Sequence, residues 1–497
     1  MNNVHALALL YEAGRYTYGY ENHAKKDEAA FTKTIEMFKE AKSIIFNSMI
    51  TNEEAMILQQ LKKKFAYKLV NKEAKKFQAF LNDFSSVSGK HLYGGSLNTV
   101  KSCDAVIVLG CSVSIDNPML ALALEGAHKE RDAYIAYMHP LEDESLKNIV
   151  AQYVKYEVSS EEGLVAMLAD LVLNEEGKAR SKSFFDDLDV GYICGESSVG
   201  EEEFDLLAQK LLAREKHVLV VGSDLYNHPR SKNIAKTLGM ISKYSDFEIV
   251  MIPPEANALG VALICDLDEV AEGKTIGYNI HADYTLSFLG DGDLDMPALK
   301  QQEGTFTSLD KKVLSLNGAI GFDGYRLNDI ANTLGVHAKS TIDYTAKLPV
   351  LSGYKAVAFD ELEKSTTMSE VIGGYELENI DVKSESEVLE DVDDISEFNG
   401  TVVYRCNHSL SQFDPKIEKS EPVEGELVLL GSKQFATAAK VKAGTMVRFE
   451  MDGKTYQRKF EVSENLKGTI AYNPVFDSTD NYDEYRYKRV NLEEVNE

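Results

Sequence analysis

Cysteine is scarce in this chain of 497 residues, and the few present do not cluster. They are Cys103, Cys111, Cys194, Cys265 and Cys406, and the closest pair stands eight positions apart. No C-x-x-C occurs, so neither a zinc site nor an iron–sulfur cluster is expected. An odd, sparse count suits a reducing compartment rather than a disulfide framework, and each cysteine reads first as a small buried apolar residue. Cations are also short. Lys plus Arg total 53 against 80 Asp plus Glu, a net charge of −27. A field of that sign repels nucleic acid and anionic lipid, which leaves solubility or a basic protein partner as its use. Long apolar runs are missing too: stretches 105–109 and 218–221 fall far short of the roughly 20 residues a membrane span needs. No basic region precedes the apolar run near Met1, so a signal peptide is not expected. Also missing are G-x-G-x-x-G, a P-loop, H-E-x-x-H and G-x-S-x-G, which removes the commonest nucleotide, zinc-protease and hydrolase signatures.

What is present is ordinary globular material, 44% hydrophobic, in a length that suggests about three domains. Residues 1–90 read mostly as helix. Thr51 is the expected N-cap of a helix opening Asn52-Glu-Glu-Ala, and Ser43-Ile-Ile-Phe-Asn just before it reads as a buried strand. Ala105-Val-Ile-Val-Leu is a continuous apolar run, as a central parallel strand requires. It leads through Gly110-Cys-Ser-Val-Ser-Ile-Asp-Asn-Pro into a helix over 119–131 and a strand over 133–138. The pattern repeats from His217-Val-Leu-Val-Val-Gly-Ser through a helix at 231–238 to the strand Glu248-Ile-Val-Met-Ile. Two such units predict a doubly wound α/β region within 1–375, with sub-domains at about 40–175 and 190–345.

Residues 376–398 hold ten acids and one Lys. They read as a solvated linker, or as an acidic contact for a basic partner surface. Beyond it, short strands with glycine turns, including Asp452-Gly453 between two β runs, predict a small barrel over 399–480. Residues 481–497 read as a charged, Tyr-rich tail, loosely ordered.

Candidate site residues lie where parallel strands end. Gly110, Ser112 and Asp116 form one turn, and Gly222 and Ser223 a second. Such turns either receive an anionic ligand at a helix N-terminus or simply join strand to helix. Glu255 and Asn257, after Pro253-Pro254, could face a ligand or cap the next helix. His139 reads as a surface or hydrogen-bonded residue rather than a base. Asp291, Asp293 and Asp295 alternate like a calcium loop, but its closing glutamate is missing, because Gln302 stands at that position.

The stretch Leu294-Asp-Met-Pro-Ala-Leu-Lys-Gln-Gln-Glu-Gly-Thr-Phe-Thr-Ser308 resembles a segment of the molybdopterin oxidoreductases, and most of all the large iron–sulfur subunit of respiratory complex I. Other motifs follow in the family's order: Thr51-Asn-Glu-Glu-Ala; Ser102 to Gly110 with Asn117-Pro; Val221-Gly-Ser-Asp with His228-Pro-Arg; Pro253-Pro-Glu-Ala-Asn; Arg405, Asn407 and Gln412-Phe-Asp-Pro; and Lys442-Ala-Gly-Thr. The resemblance implies a doubly wound parallel-sheet region followed by a double-psi β-barrel. It also exposes departures. The family's cysteine-rich segments have no counterpart here, and Met138-His-Pro-Leu replaces a common Asp-Pro-Arg.

Without a thiolate, a pterin-bound metal lacks its usual anchor, and the negative charge disfavours a cofactor with several phosphates. The expectation is therefore an architectural, cytoplasmic subunit in the peripheral arm of an NADH- or other donor:quinone oxidoreductase. It would bind no cofactor itself, and iron–sulfur clusters would sit on partner subunits. The alternative is a molybdopterin-dependent subunit whose active site a partner completes. Any surviving pocket is expected among Gly110, Ser112, Asp116, Gly222, Ser223, Glu255, Glu303, Gly304 and Thr305.

Overall fold

A computed structural model describes residues 27–288, 290–363, 373–384, 387–396, 398, 400–407, 428–475 and 484–495. The Gln412-Phe-Asp-Pro motif lies outside them. Two parallel five-stranded sheets form the α/β region. One is ordered Gln152–Val154, Tyr134–Met138, Ala105–Leu109, His217–Val221, Phe247–Met251. Its apolar runs are covered on both faces, and every residue of Ala105–Leu109 is buried. The chain begins this sheet in the middle, winds outward to one side, then returns to wind outward on the other.

The second sheet joins Ser43–Phe46 and Lys68–Val70 to Thr275–Tyr278, Tyr284–Ser287 and Leu294–Asp295. Ser43 pairs with Lys68 on one side and Thr275 on the other, so the 105–251 sheet is an insertion within the 43–295 sheet. The expected split at 40–175 and 190–345 therefore cuts both sheets. Strand partners here are set by long-range packing, which local pattern does not report.

The expected capping box at the start of Asn52–Phe65 is formed. The Thr51 hydroxyl accepts from Glu54 N at 3.1 Å, and the Glu54 carboxylate accepts from Thr51 N at 2.8 Å. The Gln-Glu-Gly-Thr-Phe stretch becomes the hairpin Gly304–Thr307 with Lys312–Leu316, to which Gly374–Glu376 adds a third strand.

The acidic segment is a packed strap rather than a solvated linker. Leu377 and Leu389 are buried. Its acids pair with cations of the same chain: Asp381 with Lys90, Glu387 with Lys243, and Glu390 and Asp393 with Arg230. Two leucines spaced within an acid-rich run, and basic partners far off in sequence, are features that composition does not register.

The C-terminal region is a curled, seven-stranded mixed sheet, a half-barrel. The hairpin Met446–Met451 with Lys454–Val462 turns on Asp452 and Gly453, both at positive φ. The expected loose tail instead supplies Tyr487–Arg489, paired with Val402–Asn407, and Glu493–Glu494, paired with Met446–Met451. Tyr485 and Tyr487 are buried, so aromatic burial outweighs the charges around them.

Candidate functional site

The winding of the chain reverses between the adjacent parallel strands Ala105–Leu109 and His217–Val221, and the crevice beyond these strand ends is where open α/β folds take ligands. Gly110 and Gly222 close the two strands and touch. A Cβ on Gly222 would collide with the Cys111 side chain and the Gly110 carbonyl. Gly110 has φ +68°, a conformation that glycine reaches without a Cβ penalty. Five of the expected residues, Gly110, Ser112, Asp116, Gly222 and Ser223, do meet here.

What fills the crevice comes from the far end of the chain. Arg486 forks onto Asp116, with Nη2 2.8 Å from Oδ1 and Nη1 3.1 Å from Oδ2. Its Nη1 also donates to Ser223 Oγ at 2.6 Å and lies 3.2 Å from Asp224 Oδ1. Its Nε donates to the Arg405 carbonyl at 3.1 Å, and the guanidinium stacks 4.7 Å from the Tyr404 ring. Asp116 is in turn held by Ser112 N at 2.9 Å. Burial alone would loosen the Arg486 proton, but Asp116, Tyr404 and Asp224 push its pKa well above the ordinary value.

Behind it, the Tyr487 hydroxyl lies 3.2 Å from His139 Nε2 and 3.4 Å from Asp224 Oδ2. His139 is fully buried and hydrogen-bonded. The space left beside Asp116, Ser223, Arg405 and Arg486 is about 30 Å³, room for a water or two.

A further layer holds neutral groups. Burial pushes Glu161 up to about 8, against a hydrogen bond from Tyr485 at 2.6 Å. Burial also pulls His228 down to about 4. Their 3.5 Å approach is thus a contact between uncharged partners near neutral pH rather than an ion pair.

The remaining expected residues belong elsewhere. Glu255 accepts from Ser48 N at the end of Ser43–Phe46. The Asn257 side chain joins the Ile50 carbonyl to Thr307 N, at 2.8 Å each, so it does not cap the next helix. Thr305 gives both its N–H and its hydroxyl to Glu53, at 2.7 and 2.8 Å. Gly304 packs on Glu53 and Thr51, where a Cβ would meet both. Glu53 and Glu54 are buried, and desolvation raises both pKa values while hydrogen bonds from Thr305 and Thr51 oppose it. Glu303 lines a separate pocket beyond this network. The expected residues therefore do not share one pocket: five meet at the crevice, and Glu255, Glu303, Gly304 and Thr305 lie outside it. Sequence reasoning missed Arg486, Tyr404, Tyr487 and Asp224. The Tyr-Arg alternation in Tyr404-Arg405 and Tyr485-Arg486-Tyr487 was the available signal.

Two parallel sheets, one inserted in the other, with a half-barrel packed across the switch point, make the fold of the molybdopterin oxidoreductases. Among solved structures the chain is similar to acetylene hydratase from Pelobacter acetylenicus, with a TM-score of 0.65 over 90% of this chain and 81% of that one. Sequence identity is 8%, so the likeness speaks for the fold alone. Neither the family models nor the curated proteins gave a match.

A pterin-bound metal does not fit the residues found in the crevice. The room left between Glu73, Asp116, Arg405 and Arg486 is about 30 Å³, far less than a pterin occupies. The thiols are poor ligands: burial pushes Cys103 and Cys406 up to about 12, and Cys111 well above its ordinary value. Among the described residues no group of three or more His, Cys, Asp or Glu is placed to hold a metal ion.

Proposed function

We propose that this chain is an architectural subunit of a redox assembly, of the kind found in the peripheral arm of a quinone-reducing complex such as complex I. It keeps the molybdopterin-oxidoreductase fold as a scaffold, and iron–sulfur clusters on partner chains carry the electrons. One observation carries the reading: the ligand crevice at the switch point is filled by the chain's own Arg486, paired to Asp116 and Asp224 and backed by Tyr404 and Tyr487. A scaffold gains from that filling, because it locks the half-barrel to the α/β region; a cofactor site would lose its space. The net charge of −27 favours basic surfaces on the neighbouring subunits. No helix among the described residues is long and apolar enough to cross a membrane, so in this reading other proteins would hold the chain at the membrane.

The overall likeness to a molybdopterin oxidoreductase favours a second reading, a pterin-dependent subunit completed by a partner. One experiment separates the two. The assembly is isolated from its own cells, its subunits are assigned by mass spectrometry, and molybdenum, tungsten and iron are quantified in the whole and in this chain alone. The proposal expects co-purifying iron–sulfur and quinone-reducing subunits, with neither molybdenum nor tungsten on this chain. Either metal at about one per chain overturns it.

A further inference from the structure

The acidic strap and the helices it crosses leave a groove of about 320 Å³ between them, at the lower end of the range for ligand pockets. One wall is the corner between Lys182–Asp186 and Val190–Ser197, which brings Leu188 and Tyr192; the other is the strap, which brings Val392. Leu188 and Val392 are half-buried and Tyr192 is 37% exposed, so all three keep apolar surface in reach of a ligand. Both walls are pinned. The Tyr192 hydroxyl accepts from Ile395 N at 3.1 Å, and Asp189 accepts from Tyr192 N at 2.9 Å. Arg230 holds the strap by donating to the Glu390 carboxylate and the Asp391 carbonyl, at 2.9 Å each.

Charge selects what fits there. Asp187, Asp189, Asp391 and Asp394 line the groove, all of them exposed, and among the described residues no Lys, Arg or His does. The strap divides its acids. Asp381, Glu387, Glu390 and Asp393 are each paired to a cation of this chain. Asp391 and Asp394, between and beside them, have no such pair among the described residues and face the groove instead. A negative lining repels nucleic acid and anionic lipid. A polyamine would match the carboxylates but leave the apolar surface wet, and an uncharged apolar ligand would leave the carboxylates unanswered. Carboxylates on two walls call for several cations around one apolar group, and the face of Tyr192 can take one of those cations as well. A segment of protein chain carries all of these at once.

We propose that this groove docks a basic segment of a partner subunit, one apolar side chain flanked by lysines or arginines. The apolar side chain rests on Leu188, Tyr192 and Val392, and the flanking cations face the four aspartates. The net charge of −27 steers such a segment toward the chain, and the groove gives it a register. This inference rests on the architectural reading and names the surface through which a neighbour would be held.

The test uses the full chain and the fluorescence anisotropy of labelled short peptides: lysines and arginines around a central leucine, and the same peptide with serine in place of leucine. The leucine peptide should bind about tenfold more tightly, because only it buries an apolar side chain. Asp391→Asn together with Asp394→Asn should weaken that binding about tenfold. The melting temperature should hold in this variant, since both side chains are exposed and free of ion pairs among the described residues. Glu269→Gln together with Glu361→Gln makes the same change of net charge at exposed positions outside the groove lining and should leave binding unchanged. Four outcomes overturn the proposal: neither peptide binds, the two peptides bind alike, the aspartate variant binds as tightly as wild type, or the glutamate control loses as much as the aspartate variant. None of them touches the architectural reading, which the metal and subunit analysis of the isolated assembly tests separately.

Discussion

Two cavities of this α/β region differ in what surrounds them. Beyond Leu109 and Val221 the crevice is closed: every charge has a partner, and about 30 Å³ remains. Beside the hairpin Gly304–Thr307 the wall is open, with three buried polar atoms unmet and about 380 Å³ to spare. The difference lies in what the rest of the chain brings. The half-barrel sends Arg486 and two tyrosines into the first place, and in the second no described group meets the amide oxygens of Gln302 and Asn328 or the Thr341 hydroxyl. One cavity of an α/β fold can thus be filled by the chain's own side chains while another stays open.

The sharpest way to break this comparison is to pull the plug. Arg486→Met leaves Asp116 and Asp224 buried without their cation, with expected destabilisation of roughly 3–5 kcal/mol in denaturant unfolding. Adding Asp116→Asn and Asp224→Asn should return much of it, because the penalty belongs to the stranded charges. A small loss in the single variant would mean water already reaches the crevice and that it is not closed.

The next effect concerns pH. Folded Glu161 holds its proton up to about 8, against 4.5 ordinarily. Between those values the folded chain binds more protons than the unfolded one. Its contribution is therefore complete below about pH 4.5 and is lost as pH rises toward 8, at about 1.4 kcal/mol for each unit of displacement. Glu161→Gln cannot lose a proton, so its stability should be flatter across that window and should exceed the wild type's near pH 8. Parallel curves for the two proteins would show that Glu161 is ionised in the fold.

Part of this was legible in the sequence. The apolar runs at 105–109 and 217–221 gave the central strands, because burial on both faces leaves no room for alternation. Thr51 and Glu54 gave a helix start because capping is local. Gly110, Gly222 and Asp116 followed from strand-end position. Arg486 did not, since it sits 370 positions from Asp116 and 263 from Ser223, and a run such as Glu484-Tyr-Arg-Tyr-Lys reads as solvated charge until its tyrosines are seen buried. The open pocket was invisible for a related reason: unmet atoms on Gln302, Asn328 and Thr341 are a property of packing, which composition does not carry.

Gly222→Ala probes the contact between the two turns. The new methyl would press on Cys111 and the Gly110 carbonyl, backbone and short side chain with little freedom to give. About 1–3 kcal/mol of destabilisation is expected, as for overpacked cores, and thermal melting against Gly444→Ala as a control would read it. At Gly444 a new methyl meets nothing within 4 Å, and its cost is the strain of φ +86° alone. Gly222 has φ −108°, which alanine adopts without strain, so its whole loss measures crowding, whereas the loss at Gly444 measures conformation. An unchanged melting temperature for Gly222→Ala would mean the turns are not pressed together.

The smallest effect separates the strap from both sites. Lys90 and Asp381 form an ion pair in which both side chains are more than half exposed, and exposed pairs contribute about 0.5 kcal/mol or less. Lys90→Ala should therefore barely move the melting temperature, and what it moves should vanish in high salt, where such pairs are screened. Leu389→Ala in the same strap removes a buried side chain and should cost several times more, in salt or out of it. That ranking follows if the strap is held by its two leucines, with its acids arranged around them. If Lys90→Ala proved the costlier change, the acids would be the anchor, and the strap's negative face would already be committed to this chain rather than open to a basic neighbour.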